Sequence, residues 1–174
     1  KNKCEEILNA PDLLSAQDAV AICVFDLNNL RNINNNLGHD KGDEYIRSFA
    51  VQLRIAVADE YFVGRDGGDE FIAVLKNVTR MQVEECLRDI REQAAKYSKE
   101  YPEMPISYAV GYAMSQDFEQ STMRELFRYA DKNMYIDKNR AKMEEAAEEK
   151  RMNQRLLAKV KEMGYQFSDC LYCD

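Results

Sequence analysis

Apolar residues in this chain fall into unbroken runs and helical stripes. The run Ala19-Val20-Ala21-Ile22-Cys23-Val24-Phe25 is continuous and ends at Asp26. It predicts a strand over 19–27 that is covered on both faces. Ahead of it, the segment from Cys4 to Leu14 reads as the remains of a helix broken near Pro11. The asparagine-rich stretch 28–36 has poor helix propensity, yet Leu30, Ile33 and Leu37 recur at helical spacing. A short helix and a turn at Gly38 are expected there. Ile46, Phe49, Leu53 and Val57 form the next stripe. Phe62-Val63 and Phe71-Ile72-Ala73-Val74-Leu75 flank Gly67-Gly68-Asp69-Glu70, which reads as the tip of a β-hairpin. Thr79 with Gln82 is a capping-box pattern, followed by a stripe of Val83, Cys86, Leu87, Ile90 and Ala94. Ile106 to Met114 predicts a strand, with Gly111 marking a bulge or close packing. Thr122 with Glu125 opens a helix carrying Met123, Leu126, Phe127, Ala130 and Met134 on its apolar face. The composition of residues 139–150 favours continued helix, and Leu156, Leu157, Val160 and Met163 carry a thin stripe to a stop at Gly164.

Helix, strand, helices, hairpin, helix, strand, helix is the order of one sheet with helices packed on it, an α+β architecture. The chain has 174 residues, 45 % of them hydrophobic, enough for one core and a modest extension. Its net charge of −7 and pI of about 4.9 argue against a nucleic-acid surface. A polyanionic ligand therefore has to be met by local cations or metal. No apolar run approaches the roughly 20 residues of a membrane span, and no signal peptide is expected. Five cysteines without framework spacing favour a reducing compartment. Cys170-Leu171-Tyr172-Cys173 is a CxxC, but Cys4, Cys23 and Cys86 do not supply the further ligands a zinc site needs.

The acidic hairpin tip carries the chemistry. Glycine backbone lies close to a bulky ligand such as a triphosphate because it has no Cβ. Adjacent carboxylates on a turn can hold a divalent metal. Asp26, at the end of a buried strand, and Asp69, at the tip, can face one such ion from neighbouring sheet elements.

Gly67-Gly68-Asp69-Glu70-Phe71 resembles the signature of the GGDEF family, the diguanylate cyclases. Phe25-Asp26-Leu27-Asn28 through Ile33-Asn34 to Gly38-His39-Asp40-Lys41-Gly42-Asp43 is similar to a second family stretch, and Ala130-Asp131-Lys132-Asn133-Met134-Tyr135 to its closing helix. The resemblance implies a ferredoxin-like, palm-like mixed central sheet of about five strands with flanking helices. It divides the chain into a GGDEF domain at 1–142, lacking its first few residues, and a helical tail or linker at 143–174. It also implies that two GTP are condensed to cyclic di-GMP with release of pyrophosphate, with Mg2+ or Mn2+ as cofactor. Asp26, the Leu27 carbonyl and Asp69 are then the metal ligands. Asp69 also lies near the attacking hydroxyl, and Glu70 is either a further ligand or a support for the site. Asn34 and Asp43 match the guanine-reading pair. Gly67 and Gly68 adjoin the substrate, His39 orders its loop, and Arg65 braces the hairpin. Arg31, Lys138 and Lys142 are the phosphate-binding cations, with Arg31 in place of the usual lysine and Lys142 in place of the usual arginine.

As partners the resemblance implies GTP, a second copy in a transient catalytic homodimer, and an upstream sensory domain from which this chain is excised. A cytoplasmic location, no nucleic acid and no membrane contact by this chain complete the expectation. The family's product-inhibition motif, Arg-x-x-Asp, has Ala58 and Tyr61 at its two charged positions, so that site is expected to be absent. The alternative reading is a catalytically silent GTP-binding module that regulates a neighbouring domain.

Overall fold

A computed structural model describes residues 3–164. Along the chain it has α1 (Lys3–Leu8), β1 (Leu14–Ser15), β2 (Ala21–Leu27), α2 (Leu30–Leu37), α3 (His39–Ala56), β3 (Phe62–Gly67) and β4 (Glu70–Leu75). These are followed by α4 (Arg80–Glu100), β5 (Tyr108–Met114), β6 (Gln120–Ser121) and α5 (Met123–Glu162). The central sheet has the order β3-β4-β2-β5, and its three pairings are all antiparallel. A β-α-β-β-α-β path with the first of these strands inside the sheet is the ferredoxin-like topology. The sheet holds four strands rather than about five. β1 and β6 instead pair into a separate two-stranded ribbon, with Leu14 opposite Ser121 and Ser15 opposite Gln120. Strands of two residues are too short to show a period of two, so the ribbon left no pattern in the sequence.

Every residue of β2 is buried. Ala21, Cys23, Phe25 and Leu27 pack on one side against Tyr45, Phe49, Leu53, Val83, Leu87 and Ile90 of α3 and α4. Ile22 and Val24 face the other side, with Leu8 of α1 and Leu126, Ala130 and Met134 of α5. The first layer centres on aromatic edges. Phe49 lies 5.2 Å from Phe71 and 5.0 Å from Tyr108, centroid to centroid. Such pairs contribute about 0.5–1.5 kcal/mol each beyond their buried area.

Two helix starts follow the predicted caps. Thr79 N–H donates to Gln82 Oε1 at 2.9 Å, and Gln82 N–H donates back to Thr79 Oγ1 at 3.3 Å. Thr122 N–H donates to Glu125 Oε2 at 2.8 Å, and Glu125 N–H returns a bond to Thr122 Oγ1 at 3.2 Å. Each box satisfies backbone donors that the first helical turn leaves open.

Helix α5 covers the open edge of β5. Val110 N–H donates to Asp137 Oδ2 at 3.1 Å, and Asn133 Nδ2 donates to the Tyr112 carbonyl at 2.9 Å. Between them Gly111 stands in regular register with Val24, so it marks close packing rather than a bulge. A Cβ at Gly111 would lie 2.0 Å from Met134 N and 2.3 Å from the Ala130 carbonyl oxygen. The chain divides into two units after Lys138. In the second, the described residues continue the helix to Glu162, with Leu156 and Leu157 exposed. Cys170 and Cys173 lie outside the described residues.

Gly111→Ala is expected to destabilise the fold by about 1–3 kcal/mol, because backbone of α5 must shift to admit the methyl. Gly67→Ala, whose Cβ meets open space, should stay within about 0.5 kcal/mol of the parent. Urea denaturation of both variants checks this, and equal losses would show that the α5 contact at Gly111 is not tight.

Candidate active site

The end of β2 is where its pattern turns polar. Asp26 is 8 % exposed and pairs across the sheet with Glu70, the first residue of β4. Directly opposed residues of antiparallel strands present their side chains on one face. That is the α5 face, since Ile22 and Val24 precede Asp26 on it and Ile72 and Val74 follow Glu70.

The hairpin tip is shaped by a register shift between Arg65 and Gly67, followed by Gly68 at φ +50°. The left-handed conformation suits glycine. Arg65 closes the turn by donating from Nε and Nη2 to the Gly68 carbonyl, at 2.9 and 2.7 Å. Leu27 N–H donates to the Asp69 carbonyl at 2.9 Å, which ties the tip to the end of β2. Asp26, Leu27, Asp69 and Glu70 therefore meet at one end of the sheet.

From α5, Lys138 Nζ donates to Asp26 Oδ1 at 2.7 Å. The Lys138 side chain is 29 % and the Asp26 side chain 11 % exposed, whereas the pairs Lys41–Glu44, Arg80–Asp117 and Arg88–Glu85 join side chains that are at least 41 % exposed. Around Glu70 several further carboxylates gather. Burial holds the Glu70 carboxyl above the usual carboxylate range, and Asp131, Asp26, Asp69 and Asp66 push it further. Asp131 is a member of this group that sequence reasoning passed over. Its signal was its place two turns before Lys138 on the same helix face.

The remaining candidates lie on the α2–α3 hairpin and beyond. Asn34 is half-buried on α2, and Asp43 is exposed on α3. Gly42, next to Asp43 in the chain, lies against Asn34: its missing Cβ would sit 1.9 Å from Asn34 Oδ1. Arg31 lies exposed on α2, one turn before Asn34, and His39 is the exposed first residue of α3. Gly67 and Gly68 are exposed and open to the outside of the tip. Lys142 is exposed on the part of α5 that belongs to the second unit.

No group of three or more His, Cys, Asp or Glu side chains among the described residues is arranged to hold a metal. Two carboxylates with a backbone carbonyl nonetheless form an all-oxygen donor set. Magnesium and manganese accept few protein ligands of this kind and take the rest from water and phosphate. The surplus of negative charge around Glu70 fits a cation in the same way.

The family described as diguanylate cyclase, GGDEF domain, matches residues 5–144. The chain belongs to the GGDEF domain family. Among solved structures, this GGDEF domain is similar to an EAL/GGDEF domain protein from M. capsulatus, at 29 % identity and a TM-score of 0.65, covering 79 % of this chain and 88 % of that one. It is also similar to the active GGEEF domain of a diguanylate cyclase from Vibrio cholerae, at 27 % identity and a TM-score of 0.64, covering 71 % and 79 %. An uncharacterized membrane protein of Staphylococcus haemolyticus is 28 % identical over 127 residues, which are 70 % of this chain and 35 % of that protein. The chain thus spans about a third of the length of the curated relatives it matches. Those relatives are named membrane proteins, which overturns the expected cytoplasmic location. Among the described residues no helix is long and apolar enough to cross a membrane.

A raised carboxyl in the GGDEF domain has a stability consequence. The folded state holds the Glu70 proton more firmly than the unfolded chain does. The resulting stability is present at acidic pH and is lost as pH rises from the ordinary carboxylate range through the raised value. In chelator, Glu70→Gln should therefore melt above the parent at about pH 7, with the gap closing toward about pH 4. Scanning calorimetry across that range checks the sign, and a variant that melts lower at neutral pH would contradict it.

Proposed function

We propose that this domain condenses two GTP into cyclic di-GMP with release of pyrophosphate, as the output part of a larger signalling protein. What supports the reading is the convergence of the Asp26–Glu70 cross-strand pair with the Asp69 turn, tied by the Leu27 N–H to Asp69 carbonyl bond. In each of two successive steps, the 3′-hydroxyl oxygen of one nucleotide bonds to the α-phosphorus of the other. Pyrophosphate leaves, and the hydroxyl proton passes to solvent or a nearby carboxylate.

Positioning and charge neutralisation carry most of such a reaction. Asp26, the Leu27 carbonyl and Asp69 would hold a divalent cation, which would supply phosphate screening and a more acidic hydroxyl. Asp69, on the turn, stands beside the attacking hydroxyl. Glu70 supports the same end of the sheet. The open surface at Gly67 and Gly68 lets backbone N–H groups approach the phosphates. Arg65 holds that turn through the Gly68 carbonyl. Asn34 and Asp43 read guanine: the carboxylate accepts from N1–H and the exocyclic amine, a donor edge that adenine lacks. His39 orders the loop between α2 and α3. Arg31 and Lys138 supply cations to the triphosphate in an otherwise acidic chain. One site holds one GTP, so two copies must meet with their sites facing, and a transient pair allows release of product.

The full chain incubated with GTP and Mg2+ should yield cyclic di-GMP, with a rate per protomer that rises with protein concentration. Asp69→Asn should lower turnover at least about 100-fold while leaving the melting curve near the parent's, since it removes a charge from a turn. GTP bound without turnover by the parent would favour the silent regulatory reading. Near-parental turnover by the variant would remove the metal assignment.

Base reading has its own test. Asp43→Ala should weaken GTP by about 1–3 kcal/mol and ATP clearly less, measured by calorimetric titration. Equal losses for the two nucleotides would discard the role of Asp43.

A further inference from the structure

Asp26 needs a counter-charge. A carboxylate withdrawn from water to 8 % exposure is costly unless paired. Lys138 is that partner here, with its ammonium 2.7 Å from Oδ1. The same carboxylate is also the first ligand of the cation site. A divalent cation bound to it sits about 2.1 Å from a carboxylate oxygen, within a few ångströms of where the ammonium now stands. Two like charges at that spacing, around a carboxylate largely withdrawn from water, repel strongly. Lysine can resolve the conflict because it carries a compact charge on a flexible four-carbon stem. Lys138 is 29 % exposed, so its head has a path to solvent while the stem stays against α5. The neighbouring Asp137 holds the backbone of α5 in place by accepting from Val110 N–H, so the head can move without the helix.

We propose that Lys138 and a divalent cation are alternative counter-charges of Asp26, and that cation uptake releases the Lys138 ammonium for an anionic phosphate chain. The inference rests on the site reading above but not on turnover. Its consequence is a coupling that runs both ways. A polyphosphate that takes the ammonium removes the cation's competitor, and a cation that takes Asp26 frees the ammonium for the polyphosphate. Cation and nucleotide then bind better together than either does alone, beyond any direct contact between them.

The test uses Mn2+ as the probe, titrated into the full chain without nucleotide and followed by the electron paramagnetic resonance of the free ion. Lys138→Met keeps the apolar stem and removes the competitor, and it should bind Mn2+ at least about tenfold more tightly than the parent. Lys138→Arg keeps the charge and should remain within about threefold of the parent. Equal or weaker Mn2+ binding by Lys138→Met would show that Lys138 orients Asp26 rather than competing for it, and would overturn the proposal. A measurement on the parent keeps the test decisive if Lys138→Met does not fold. With 13C-labelled lysine, the ε-carbon signal that Lys138→Arg removes should move when Mg2+ is added, and an unmoved signal would overturn the proposal. Tightened Mn2+ binding in a chain that makes no cyclic di-GMP would sustain this inference while removing the proposed reaction. Turnover with unchanged Mn2+ affinity in Lys138→Met would do the reverse.

Discussion

The structure depends on a strand that has no outside. β2 is an inner strand on which α3 and α4 press from one face and α1 and α5 from the other, and all of its residues are buried. Apolar side chains serve both faces up to Phe25. A charge on such a strand is tolerable only where the covering layers thin out, and Asp26 stands at that limit. Its depth determines what its neighbours must be. It demands positive charge nearby, it lies across from a second acid, and it pins the end of the sheet against which the glycine turn folds back.

Two separate parts of the chain are brought to this place by different forces. The hairpin arrives through its ladder with β2 and through the bond from Leu27 N–H to the Asp69 carbonyl. Helix α5 arrives through packing, with Leu126, Ala130 and Met134 against the sheet. Backbone bonding places the acids, and hydrophobic contact places the lysine. The acids therefore sit on the stiffer support, while the lysine reaches them on a flexible stem.

Much of this was legible before the fold was known. The apolar run at 19–25 required cover on both faces, the hairpin carried its own turn residues, and Thr79 with Gln82 and Thr122 with Glu125 announced two helix starts. These are local signals, and local physics sufficed to read them. The order of the strands was not local and came only through family likeness. The β1–β6 ribbon was too short to show periodicity. Asp131 was not singled out, because the burial that matters to it belongs to Glu70. The pairing of Lys138 with Asp26 joins residues 112 positions apart, and no periodicity extends so far.

Gly111 has a reach beyond the core in which it sits. Ala130 and Met134 rest directly over it, and Lys138 projects one turn past Met134 on the same helix. The height of α5 above the sheet is thus gauged by a single hydrogen atom, and the same gauge sets how far the lysine must stretch to meet Asp26. Electrostatic balance at the end of the sheet is in this sense calibrated from inside the apolar layer. Residues that never approach a ligand can retune the site's charge by raising or lowering the helix that carries it.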